Sequence, residues 1–126
     1  MSEFIYFNSR DELLRIEVPC IVYFEADGNY TKIVLANGFE CLVCMNLCKM
    51  EKFLSDRLGE KAKKFARIGK RHIINLKYLL QVSPLRQCLV LSDQRTFKFE
   101  LDLSKDALKK LKDIIDVLPG MKSPTV

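Results

Sequence analysis

CIVYFEADGNYTKIVLANGFECLVC, residues 20 to 44, decides the fold class. Residues 20 to 27 are dense in β-branched and aromatic side chains and predict a strand. A flat pleat would put Ile21 and Tyr23, with Glu25 after them, on one face and Val22 and Phe24 on the other. Asp27, Gly28 and Asn29 form a tight turn, and Tyr30 to Ala36 continues as a second strand. Asn37-Gly38 is a strong short hairpin signal, and Phe39 to Cys44 is the return strand. An odd separation of three places Cys41 and Cys44 on opposite faces of that strand, which opposes a shared metal ion. The protein is therefore expected to be mainly β.

Outward toward the N-terminus, FIYFN (4 to 8) and LLRIEV (13 to 18) read as two more strands across the polar turn SRDE. Pro19 fits the start of the strand that follows, because proline cannot donate within a ladder. A meander of about five strands results. Toward the C-terminus, Asn46 is a helix N-cap, and Leu47, Met50, Phe53, Leu54 and Leu58 recur at helical spacing until Gly59 ends the helix. Cys88 to Leu91 and Thr96 to Leu101 form a hairpin across SDQR, residues 92 to 95. Ser104 caps a final helix whose inward face is Ala107, Leu108, Leu111, Ile114, Ile115 and Leu118. Pro119-Gly120 stops it, and MKSPTV, residues 121 to 126, is a flexible tail. Residues 1 to 120 then make one domain with two short helices, one mid-chain and one C-terminal.

The chain has 126 residues, 48% hydrophobic and 29% charged, an ordinary globular composition. The net charge of +5 points to nucleic acid or another anionic surface. No apolar run approaches the ~20 residues of a membrane span. The opening MSEFIYFNSRDE lacks the basic start and unbroken apolar segment of a signal peptide, so a cytoplasmic location is expected. Five cysteines are then expected as thiols. No catalytic constellation, metal site, cofactor motif or small-molecule substrate site emerges. The single His72 has no Ser or Cys partner recognisable in the sequence, and Asp113 and Asp116 fall on the exposed side of the last helix.

The basic residues concentrate in one place. Lys61, Lys63, Lys64, Arg67, Lys70 and Arg71 lead through FARIGKRHIINLKYL, residues 65 to 79, into an apolar anchor. A charged tip on a buried stem suits a surface that meets phosphate. Gly69 permits a close backbone approach or a positive φ. Asn75 sits between apolar residues and is expected to bond neighbouring backbone. Tyr30 is read as a packed corner residue.

Three pieces in this order resemble the LytTR family of bacterial DNA-binding domains: YFEADGNYTKIVLANG (23 to 38), FARIGKRHIINLKYL, and the Leu-Ser-Lys opening of the last helix at 103 to 105. The resemblance spans about residues 3 to 117. It implies an elongated, antiparallel β-sheet fold with short helices. It also implies sequence-specific binding to double-stranded DNA by loops in the grooves, often as two copies on direct repeats. The family's contact regions match Thr31 and Lys32, Lys70 and Arg71, and Lys105 here; Lys63, Lys64 and Arg67 bring further charge to the DNA. There are departures. Gly69 and Arg71 stand where many members carry His and Ser, His72 where they carry an aromatic, and Lys105 where Arg is usual. Lys lacks the planar fork with which Arg grips guanine. The receiver domain often fused ahead of this module has no counterpart in the sequence. The resemblance thus implies a free-standing transcriptional regulator governed by expression, self-association or a partner. Two rival readings stay open: a protein-interaction module that has lost sequence reading, and single-strand binding on a β surface. The second would need exposed aromatics, whereas most here alternate with core residues.

Overall fold

The structure, a computed structural model, describes residues 3–117 and divides into two compact units, Met1–Tyr78 and Leu79–Val126. In the first, β1 (Phe4–Asn8) and β2 (Leu13–Glu17) pair antiparallel as a two-stranded sheet, with Ile5 opposite Ile16 and Phe7 opposite Leu14. Ile5, Phe7 and Ile16 face the core, while Phe4, Tyr6 and Leu13 face out. A 3-10 turn, Val18–Cys20, follows; Pro19, lacking an N–H, sits inside this turn and does not begin the next strand.

β3 (Ile21–Asp27), β4 (Tyr30–Leu35) and β5 (Glu40–Val43) form the expected meander. The sheet is completed on the other side of β3 by β7 (His72–Asn75) and β6 (Phe65–Ile68), giving the order β5-β4-β3-β7-β6. The five N-terminal strands are therefore not one meander, because the 3-10 turn separates the first pair from the rest. The face assignment within β3 also changes. The register shifts between Ile21 and Tyr23, so the bulge at Val22 brings Ile21 and Phe24 into the same core.

Helix α1 (Leu47–Leu58) covers that core. Asn46 Oδ1 accepts from Lys49 N at 2.9 Å, and Gly59, at φ +56°, closes the other end. Leu47, Met50, Leu54 and Leu58 pack with Phe24, Ile33 and Ile73 beneath them. A second 3-10 segment, Gly59–Lys64, returns the chain to β6. Asn75 is fully buried: its Nδ2 donates to the Ile21 carbonyl at 2.8 Å, and its Oδ1 accepts from Lys77 N at 3.0 Å. It bonds backbone, as its apolar neighbours require.

In the second unit β8 (Leu79–Ser83), β9 (Cys88–Ser92) and β10 (Lys98–Asp102) form an antiparallel sheet of order β10-β9-β8. The sequence reading found the last two strands and took Leu79 and Leu80 only as an anchor. Asp93 caps the β9–β10 turn, its Oδ1 accepting from the N–H groups of Arg95, Thr96 and Phe97. Helix α2 (Lys105–Val117) begins at Ser104, whose Oγ accepts from Ala107 N at 3.2 Å. Ala107, Leu108 and Leu111 are buried and Ile115 is half-buried, but Ile114 is 40% exposed and leaves the inward face. Leu118, the Pro119-Gly120 stop and the 121–126 tail lie outside the described residues.

Candidate nucleic-acid interface

Antiparallel pairing decides which loops meet. Glu25 opposes His72 and Tyr23 opposes Ile74, so the start of β7 lies beside the end of β3. Residues 69–71, the turn between β6 and β7, and residues 28–29, the turn between β3 and β4, therefore share one end of the sheet. Gly69 adopts φ +60° there, a conformation that side-chain-bearing residues rarely enter. Lys70 and Arg71 are exposed at the tip. The turn is pinned to β3 twice: Ala26 N donates to the Arg71 carbonyl at 2.8 Å, and Arg71 Nη2 donates to the Ala26 carbonyl at 3.3 Å.

Arg67 holds the turn from the other side. Its Nη2 donates to the Lys70 carbonyl at 3.2 Å, and its Nη1 donates to Glu51 Oε1 at 3.3 Å and lies 3.7 Å from Cys48 Sγ, both on α1. Arg67 is thus committed within the protein. Thr31 is turned inward. It is fully buried, and its hydroxyl donates to the Met45 carbonyl at 2.7 Å, so it has no surface to offer a base. Alternation along β4 turns Tyr30 and Lys32 the other way, and Tyr30 is 47% exposed instead of packed. That exposed Tyr30, beside Asn29 at the tip, was missed; the alternation with Lys32 was the signal that could have found it.

Lys32 is half-buried and pairs with Glu25 Oε1 at 3.0 Å, while Glu25 Oε2 lies 3.0 Å from His72 Nε2. Burial pushes the Glu25 carboxyl up, but hydrogen bonds from Lys32 and His72 outweigh it and hold the group below its ordinary value. The hydrogen bond to Glu25 raises Lys32. Burial lowers His72 despite Glu25, and its Nδ1 is buried without a partner. Neutral His72 with the proton on Nε2 donates to Glu25, whereas protonation would add a buried Nδ1–H without an acceptor.

Lys63 and Lys64 precede β6, whose four residues separate them from the tip by about 13 Å of strand. Lys63 is exposed and pairs with Glu60 at 2.7 Å; Lys64 is half-buried beside the Phe65 ring, and burial lowers its pKa. They stand at the opposite end of the β6–β7 hairpin from Lys70 and Arg71. Lys105 belongs to the second unit, exposed at the first position of α2. The structure thus brings Arg67, Lys70 and Arg71 together at one turn, sets Lys32 across β3 from it beside Glu25, and places Lys63 and Lys64 at the other end of the hairpin.

Cys41 is half-buried on β5, whereas Cys44 lies exposed beyond its end. Among the described residues no three His, Cys, Asp or Glu side chains group as metal ligands, and no helix is long and apolar enough to cross a membrane. What the tip offers is a rigid turn carrying cations, a means of engaging phosphate and base edges.

No curated protein matches the sequence. Among solved structures, the chain resembles the LytTr DNA-binding domain of a Bacillus cereus protein described as a methyl-accepting/DNA response regulator. The TM-score is 0.60 at 14% identity, covering 88% of this chain and 94% of that one, which shows the fold. The family model for the LytTr DNA-binding domain matches residues 11–116. With its mainly antiparallel β architecture and one mid-chain and one C-terminal helix, this chain belongs to the LytTr DNA-binding domain family.

Proposed function

We propose that this chain is a sequence-specific regulator of transcription that binds double-stranded DNA with the turn at residues 69–71. The observation that carries the reading is that turn: two exposed cations on a backbone pinned to β3 and, through Arg67, to α1. Arg71 retains further N–H groups beyond the one given to Ala26, enough to meet a guanine edge. Lys70 extends beside it toward base or phosphate. Lys32, held by Glu25, shapes the potential near the tip, and Lys105 supplies a contact from the second unit. Lys63 and Lys64 meet backbone phosphate only. Thr31 has no part in contact. Binding as two copies on repeated half-sites suits a turn of this size, which covers only a few base pairs.

The test is selection of bound duplexes from a random pool, followed by mobility-shift titration against the enriched duplex, a random duplex and single strand. An enriched motif is expected. Preference for single strand would transfer the function to stacking on exposed aromatics such as Tyr30, and absence of any nucleic-acid binding would favour a protein-interaction module.

A further inference from the structure

We infer that Glu51, on the first turns of α1, is a positioning residue for DNA reading: through Arg67 it sets the backbone of the 69–71 turn. The inference rests on that turn being the DNA-contacting head. Cys48 and Glu51, three residues apart, share one helix face and meet the same Arg67 Nη1, at 3.7 and 3.3 Å. The other terminal nitrogen of that guanidinium donates to the carbonyl of Lys70 at the tip. A continuous path therefore runs from α1 through one planar group to the reading turn. Arg67 is only 25% exposed, and its Nε is buried without a partner. Its orientation consequently depends on what the two terminal nitrogens hold. Remove the carboxylate, and the guanidinium is free to swing out to water and release the Lys70 carbonyl.

The sign of the effect separates this role from simple surface charge. Glu51 is an anion 54% exposed on a domain that binds DNA. If it acted only through its charge, removing it would tighten binding to every duplex. A positioning role predicts the reverse for the selected site alone. Glu51→Ala is expected to weaken the selected site about tenfold, a loss of the size of one base contact, and to leave random duplex unweakened. Glu51→Gln removes the same charge but keeps an acceptor oxygen, and it should recover most of the loss. Arg67→Met should show the same loss, and adding Glu51→Ala to it should change nothing more.

The experiment is titration of these variants on both duplexes, with amide hydrogen exchange of Ala26, whose N–H donates to the Arg71 carbonyl of the turn, measured without DNA. Faster exchange in Glu51→Ala, with site-selective weakening restored by Gln, supports the inference. Equal or tighter binding of Glu51→Ala to the selected site, or unchanged exchange at Ala26, overturns it. Should the wild type enrich no motif while the exchange still rises, the DNA reading fails and the link from Glu51 to the turn stands.

Discussion

Asn75→Ala removes the side chain that closes the sheet beside the β3 bulge. The β3–β7 ladder runs from Glu25/His72 to Tyr23/Ile74 and stops there, next to the point where β3 shifts register against β4. At that point Asn75 substitutes for the ladder, donating to the Ile21 carbonyl and accepting from Lys77 N. Both bonds are lost in alanine. The bond from Lys77 N is worth about 1 kcal/mol net, and loss of the other leaves the carbonyl of the fully buried Ile21 with a desolvation penalty of about 1–3 kcal/mol. The expected destabilisation is about 2–4 kcal/mol, a large part of the roughly 5–15 kcal/mol of a typical domain. Urea unfolding followed by circular dichroism should show a lower midpoint at unchanged slope, since the surface exposed on unfolding hardly alters. Because Asn75 lies at the far end of β7 from the 69–71 turn, the folded variant should keep the ratio of selected to random binding. A loss below about 0.5 kcal/mol would refute the reasoning and mean that water or a shifted backbone meets the Ile21 carbonyl.

At the tip, Arg71→Ala should lower affinity for the selected site by about 1–3 kcal/mol more than for random duplex, as measured by parallel shift titrations; equal losses would make Arg71 a backbone clamp. Lys64→Ala should weaken both duplexes alike and flatten the slope of log K against log salt by roughly 0.9. His72 gives a pH dependence: burial lowers its folded pKa, so the unfolded chain takes up the proton first. Its contribution is whole above the ordinary value of 6.5 and is lost as pH falls from there through the lower folded value. Glu25, lowered as well, adds a loss only below 4.5. In urea melts over this range, His72→Phe should flatten the upper part and also shrink the lower, because His72 helps hold the Glu25 carboxyl down. Thiol titration of the native protein should modify the exposed Cys44 and Cys48 before Cys20 and Cys41, whose burial raises their pKa.

Local chemistry explains how much could be read in advance. The β-branched runs around Gly28 and Gly38, the Asn46 and Ser104 caps and the periodic stripe of α1 each act within a few residues of chain, so their elements follow from sequence. The motif set around residues 23–38, 65–79 and 103–105 identified the family for the same reason. What sequence could not settle was pairing. Whether β1 and β2 join the main sheet depends on a turn at Pro19, and the common face of Ile21 and Phe24 depends on a bulge visible only against β4. The site shows the same division. Gly69, Lys70 and Arg71 were legible as an exposed turn, because a glycine among cations has little else to do. Thr31 and Arg67 are ordinary polar residues until the ladder turns one toward Met45 and carries the other under Glu51. Sequence by itself determined the strands of residues 4–44 and 88–101, the helix starts at Asn46 and Ser104 and the charged tip, whereas β6, β7 and β8 emerged only with their pairing. Only tertiary structure decided which cations remain free to meet DNA, because a side chain's availability is set by partners far away in the chain.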